Sequence, residues 1–155
     1  MSEPDGGAVL RKFVEAMNGH DLDQVVSLAS ENIEFVDVAS GEEIHGREQW
    51  RRYCGRYLKA FPDLRLEQTN VLAVGDWAVV EAIARGRQDG ALETPAGAIP
   101  PTGREVEVKF CFVARVRAGE IVDSREYYDA MTLMTQLGLV PEPAQPAMPP
   151  LPGIR

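Results

Sequence analysis

The segment from Gly119 to Pro141 most constrains the fold, because its hydrophobic period changes halfway along. Residues 121 to 128 alternate and are rich in β-branched and aromatic side chains, which is typical of a β-strand. Residues 130 to 137 repeat apolar side chains at helical spacing, and Gly138 followed by Pro141 predicts the end of a helix. The segment therefore predicts a strand that leads directly into a final helix.

The strand half of this segment also carries an unusual density of ionisable side chains. If residues 118 to 120 form a hairpin turn with the preceding strand, residue 112 lies opposite residue 126, and residue 116 lies opposite residue 122. One face of the hairpin then carries Phe110, Phe112, Ala114, Ser124, Glu126 and Tyr128. An acid in this apolar setting has a raised pKa, which suits a general base or acid near neutral pH. Glu126 is therefore a candidate catalytic residue, and a buried acid paired with arginine or tyrosine side chains, without a reaction, is the open alternative.

The rest of the chain predicts helices first and sheet afterwards. Amphipathic helices are predicted over residues 8 to 17, from Asp21 to Leu28 and from Gly46 to Phe61, with a short strand over residues 33 to 38 between the second and third. Alternating strands are predicted over residues 64 to 74, 77 to 86 and 104 to 116, with a loop over 87 to 102. This order predicts an α+β fold, with three N-terminal helices packed on a curved antiparallel sheet and one C-terminal helix.

The predicted domain organisation is simple. Residues 1–7 form a flexible lead-in, residues 8–140 form one domain, and residues 141–155 form a proline-rich tail that runs over the surface or over a second subunit. A pocket is expected between the helices and the sheet.

Five motifs, in order along the chain, carry a resemblance to a known family. They are EAMNGHDLDQVVSLASENIEF, HGREQWRRY, AFPDLRLE, PPTGREVEV and GEIVDSREYYDAMTLMTQLG. Together they resemble the SnoaL-like polyketide cyclases, a branch of the NTF2-like superfamily, over residues 8 to 140. The resemblance implies a cone-shaped barrel, acid-base catalysis without a cofactor, and a homodimer.

The resemblance also implies roles for particular residues. The acid-base aspartate of the family falls on Glu126, and a histidine that assists it falls on Phe112, which cannot transfer a proton. Many relatives carry a histidine at the position of His45, so His45 is the expected substitute, although a capping or surface role is an open alternative. Tyr128 is a further candidate donor. The expected substrate-binding residues are Trp50, Tyr53, Phe110, Phe112 and Ser124.

Two functions from different classes remain open. The first is a cofactor-independent acid-base enzyme that performs an intramolecular aldol cyclisation or an isomerisation on a polyketide-like small molecule. The alternative is a non-catalytic protein of secondary metabolism that binds an apolar small molecule, which the phenylalanine at position 112 favours.

Composition excludes several other classes. The net charge is −8 and no basic stripe occurs, so nucleic acid and anionic membranes are not expected partners. Two histidines without suitably spaced acids predict no metal site, and no glycine-rich phosphate loop is present. Two cysteines without a zinc or disulfide pattern, and an N-terminus without a signal peptide, predict a cytoplasmic protein with both thiols reduced.

Overall fold

The computed structural model describes residues 5–141. The predicted tail therefore lies outside the described residues except for Pro141, and so do the first four residues of the predicted lead-in. The helices and strands in chain order are α1 Gly6–Asn18, α2 Leu22–Ser27, β1 Ala29–Asp37, β2 Glu42–His45, α3 Gly46–Ala60, β3 Arg65–Val74, β4 Trp77–Arg87, β5 Leu92–Thr94, β6 Gly97–Ile99, β7 Glu105–Arg117, β8 Glu120–Tyr128 and α4 Ala130–Gln136.

Six of the strands form one curved sheet in the order β2-β1-β8-β7-β4-β3. Neighbouring strands are antiparallel except β1 and β8, which are parallel. The prediction of a wholly antiparallel sheet is thus wrong at this pair. Alternation along a strand specifies which face is buried but not the direction of a partner that lies far away in the chain. Strands β5 and β6 form a separate small hairpin within the predicted loop.

Residues 5–141 form four helices, of which α1, α2 and α3 precede β3. Strands β1 and β2 lie between α2 and α3, and β2 lies in a part of the chain where no strand was predicted. Helix α1 begins at Gly6, two residues earlier than predicted, because the Asp5 side chain accepts a hydrogen bond from Ala8 N at 2.7 Å and caps the helix. A Cβ atom on Gly6 would lie 2.9 Å from the Ala78 Cβ, so glycine allows α1 to approach β4 closely.

No helix among the described residues has the length and apolar character needed to cross a membrane.

The last hairpin positions the ionisable residues of β8. Its turn is Ala118-Gly119, and both residues have positive φ, as a tight two-residue hairpin requires. Phe112 lies opposite Glu126, as predicted, whereas Val116 lies opposite Ile121 rather than residue 122. A register shift between Val116 and Arg115 restores the predicted pairing for the residues farther from the turn, including Phe112 and Glu126. The predicted turn was one residue too long, and this irregularity compensates for the difference.

The core lies between the inner face of the sheet and helices α1 and α3. A cluster of buried rings fills its centre, contributed by Phe13, Phe35, Trp50 and Phe112. The ring centroids of Phe13 and Phe112 are 5.1 Å apart, and those of Phe35 and Trp50 are 4.9 Å apart. Three of these rings, those of Phe13, Trp50 and Phe112, also line a cavity.

Candidate functional site

A cavity of about 110 Å³ lies between helices α1 and α3 and the inner face of the sheet. Its walls are almost entirely aromatic and aliphatic, and they include Phe13 from α1, Trp50 from α3 and Phe110 from β7. Among the described residues that line it, Glu126 alone carries a formal charge. The cavity therefore suits the apolar part of a ligand, with one carboxyl group in its wall.

Glu126 reaches this wall because β8 lies in the middle of the sheet. Its neighbours across the sheet are Phe112 on β7 and Asp37 on β1. Burial raises the pKa of the Glu126 carboxyl to about 7; a hydrogen bond from Tyr53 acts in the opposite direction, and the nearby charge of Asp37 adds to the increase. The carboxyl therefore exchanges its proton near neutral pH, as a general base requires.

Asp37 is a residue of the site that was not among the predicted catalytic or substrate-binding residues. It is 1% exposed, and its Oδ2 atom accepts hydrogen bonds from the hydroxyl groups of Tyr53 at 3.0 Å and Tyr128 at 3.3 Å. Its Oδ1 atom accepts a hydrogen bond from Ser40 N at 3.0 Å. A signal was present in β1, because Ile33, Phe35 and Asp37 share the buried face of the strand. Asp37 thus holds two tyrosines beside Glu126.

Tyr53 connects the two acids. Its hydroxyl group lies 2.8 Å from Glu126 Oε2 and 3.0 Å from Asp37 Oδ2. A phenol has one proton, so Tyr53 donates to one carboxyl group at a time. When Glu126 is ionised, Tyr53 can donate to it. When Glu126 is protonated, it can donate to the Tyr53 oxygen while Tyr53 donates to Asp37.

Three phenols adjoin this pair of acids. Burial is the largest cause that raises the pKa of each of them, followed by the Glu126 charge for Tyr53 and Tyr57 and by Tyr57 for Tyr128. The pKa of Tyr57 rises to about 12. All three hydroxyl groups therefore keep their protons at neutral pH and serve as hydrogen-bond donors in the wall of the cavity.

The structure does not bring His45 to this site. The register of β1 and β2 pairs His45 with Glu34, whose side chain faces away from the core, and the His45 ring hydrogen-bonds to the Glu34 carboxylate. The His45 side chain is 60% exposed and does not line the cavity. The expectation that His45 substitutes for the histidine of the family is therefore corrected. The sequence could not show this, because strand β2 was not predicted.

The predicted substrate-binding residues separate into two groups. Those that line the cavity are Trp50, Tyr53, Phe110 and Phe112. Ser124 does not line it, because its hydroxyl group is buried against β1 and donates a hydrogen bond to Glu34 O at 3.1 Å. Ser124 thus joins two strands rather than facing the cavity.

Within residues 5–141, no three His, Cys, Asp or Glu side chains are grouped so that they could hold a metal ion.

Solved structures support the architecture. A protein from Jannaschia sp. CCS1 described as a SnoaL-like polyketide cyclase matches with a TM-score of 0.75 at 22% identity, over 91% of this chain and 98% of its own. IdmH from Streptomyces antibioticus, described as a polyketide cyclase, matches with a TM-score of 0.67 at 27% identity, over 84% and 96%. A protein from Catenulispora acidiphila DSM 44928 described as having a ketosteroid isomerase-like fold, in complex with trimethylamine, matches with a TM-score of 0.71 at 23% identity, over 85% of this chain and 93% of its own.

Comparison at the level of sequence identifies the family. No curated protein is significantly similar in sequence to this chain. The family model of the SnoaL-like polyketide cyclases, however, matches residues 7–137, which extend from the start of α1 to the end of α4 and include every residue of the cavity wall. The resemblance noted from the five motifs is thereby confirmed, and the chain belongs to the SnoaL-like polyketide cyclase family.

Proposed function

We propose that the protein is a cofactor-independent acid-base enzyme that cyclises or isomerises a polyketide-like small molecule. The observation that carries this proposal is Glu126, a single carboxyl group with a pKa raised to about 7 in the wall of an apolar cavity. A base of this kind can remove a proton from a carbon next to a carbonyl group at neutral pH. Membership of the SnoaL-like family supports the same class of reaction.

Each step can be assigned to a residue of the chain. The Glu126 carboxylate takes the proton from the carbon, and the electrons of that C–H bond pass to the carbonyl oxygen to give an enolate. The Tyr128 hydroxyl, which otherwise donates to Asp37 Oδ2 at 3.3 Å, turns to donate its hydrogen bond to this oxygen, which stabilises the negative charge as it develops. In an aldol closure, the enolate carbon attacks a second carbonyl group of the same molecule, and protonated Glu126 returns its proton to the resulting alkoxide.

Deuterium exchange tests this function without knowledge of the natural substrate. The probe is ethyl 2-oxocyclohexanecarboxylate, an uncharged cyclic β-keto ester, in heavy water at pH 7. We expect the native protein to accelerate loss of the α-hydrogen signal in proton NMR above the rate in buffer. Heat-unfolded protein at the same concentration should give the buffer rate. Exchange at the buffer rate in the presence of native protein, from pH 6 to pH 8, would contradict the proposal.

A second candidate is a binding protein without catalysis. It is favoured by Phe112, which occupies the position directly opposite Glu126 and has no proton to transfer. This candidate predicts that the β-keto ester binds in the cavity, as shown by chemical-shift changes of the lining residues, while its exchange rate stays at the buffer value.

Asp37 should control the acidity of Glu126, and the change Asp37→Asn tests this. Removing the Asp37 charge removes a repulsion, and it frees Tyr53 to donate to Glu126 more often. Both effects favour ionised Glu126, so we expect its pKa to fall from about 7 toward its ordinary value. The measurement is a carboxyl-carbon NMR titration. Glu34→Gln is the matched control, because it removes an exposed carboxylate from the other face of the same strand and should leave the pKa of Glu126 unchanged.

A further inference from the structure

Three carboxyl groups lie side by side across the inner face of the sheet. The register pairs Glu42 on β2 with Asp37 on β1, and it pairs Asp37 with Glu126 on β8. Direct partners on neighbouring strands project from the same face of a sheet, about 5 Å apart. We call these three residues the acid row. Like charges in such a row repel each other, so the row calls for a compensating positive charge.

Arg56 on α3 supplies a positive charge at one end of the acid row. Its guanidinium forms an ion pair with the Glu42 carboxylate, and the two side chains are 16% and 20% exposed. This is the most buried ion pair within residues 5–141. Because burial limits screening by solvent, its charges act over a longer range than those of a surface pair.

The same guanidinium lies against two tyrosines of the site. Its central carbon is 4.7 Å from the centroid of the Tyr53 ring and 5.8 Å from that of the Tyr57 ring. The Tyr53 hydroxyl group in turn lies 2.8 Å from Glu126 Oε2 and 3.0 Å from Asp37 Oδ2. One side chain therefore separates the charge of Arg56 from the other two acids of the row.

The charged and titratable groups around Glu126 come from four elements. Strand β1 contributes Asp37, β2 contributes Glu42, and α3 contributes Arg56. The others, from α3 and β8, are phenols and a thiol that burial keeps protonated by raising their pKa: Tyr53, Cys54, Tyr57 and Tyr128. Helices α1 and α4 and strand β7 present only apolar side chains to the cavity. Arg56 is thus the single positive charge in this set.

We propose that Arg56 is a positioning residue for the base: it neutralises Glu42 at the end of the acid row, so that Asp37 is the one unbalanced charge beside Glu126. Neither Arg56 nor Glu42 lines the cavity, so both act on Glu126 without contacting a ligand. The inference rests on Glu126 as the base of the proposed function, but the field of the ion pair acts on this carboxyl whether or not a reaction occurs.

Single variants of the pair test the inference through a carboxyl-carbon NMR titration of Glu126. Two strand spacings, about 10 Å, separate Glu42 from Glu126, and a unit charge at this distance moves a midpoint by about half a unit to one unit. We expect Arg56→Met to raise the Glu126 midpoint by this amount and Glu42→Gln to lower it by a similar amount. Arg56→Lys keeps the charge, so its midpoint should stay near the native one.

The double variant, Arg56→Met with Glu42→Gln, separates charge from mechanical support because it removes both charges together. We expect its midpoint to return to about the native value. If the pair served only to join α3 to β2, both single variants and the double variant would break the same contact and move the midpoint in the same direction. That result, or native midpoints in both single variants, would overturn the inference. Glu42→Gln and the double variant still decide the matter if Arg56→Met alone does not fold, because the first should lower the midpoint and the second should restore it.

The exchange assay with the cyclic β-keto ester separates this inference from the proposed function. If Glu126 is the base, the midpoint of the pH–rate profile should move with the NMR midpoint in each variant. The affinity for the ester should stay unchanged, since neither residue lines the cavity. Opposite NMR shifts in the two single variants, in a protein that does not catalyse exchange, would support the inference and count against the proposed enzyme.

Discussion

Replacing Glu126 with glutamine should lower the rate of α-hydrogen exchange by about 10²- to 10⁴-fold, the range that general-base catalysis contributes in enzymes. Glutamine has nearly the same shape and can accept the hydrogen bond from Tyr53, but it cannot take a proton. The measurement is the same NMR exchange assay with the cyclic β-keto ester. In the native protein, the exchange rate should rise with pH through about 7, because only the ionised Glu126 carboxylate acts as the base.

Glu34→Gln is the control for this experiment. It removes the same carboxylate from an exposed position on β1, outside the cavity, and should leave the exchange rate unchanged. An exchange rate in Glu126→Gln equal to that of the native protein would show that another group acts as the base.

The ionisation of Glu126 should also reduce the stability of the fold as the pH rises. The carboxyl has a pKa of about 7 in the folded protein and about 4.5 when exposed, so between these values the folded chain holds a proton that the unfolded chain has released. The Glu126 carboxyl therefore adds its full contribution to the free energy of unfolding below pH 4.5. This contribution is lost as the pH rises from there through 7. Glutamine does not ionise, so Glu126→Gln escapes this loss.

Urea unfolding of both proteins measures this effect. Between pH 5 and pH 8, we expect the free energy of unfolding of the native protein to fall by about 2 to 3 kcal/mol relative to that of Glu126→Gln. Titrating groups remote from position 126 contribute equally to both proteins and cancel in the comparison. A difference between the two proteins that stays constant over this range would mean that Glu126 has an ordinary pKa in the folded state.

The periodicity of single elements predicted the site residues that lie within one hairpin or one helix. The alternation in β7 and β8 and a short turn between them placed Glu126 opposite Phe112, and the structure has this pairing. Trp50 and Tyr53 lie one turn apart on an amphipathic helix, and both line the cavity. In each case, one hairpin or one helix determines the relative positions of the side chains.

Residues joined by distant contacts could not be placed in the same way. Asp37 reaches Glu126 only through the parallel pairing of β1 with β8, and it reaches Tyr53 only through the docking of α3. Neither contact leaves a periodic signal in the sequence. His45 was misplaced for a related reason, since its position depends on the pairing of β2 with β1. Non-local strand pairing thus determines which ionisable residues meet.

The central claim is that Glu126 is a desolvated carboxyl group poised as a base, and a carboxyl-carbon NMR titration of the native protein tests it most directly. The Glu126 signal is assigned as the one missing from the spectrum of Glu126→Gln. A midpoint near pH 7 is the expected result, since burial raises the pKa to about this value. A midpoint near the ordinary value of about 4.5 would place the carboxyl in water or in a compensated pair, and would contradict the proposed acid-base function.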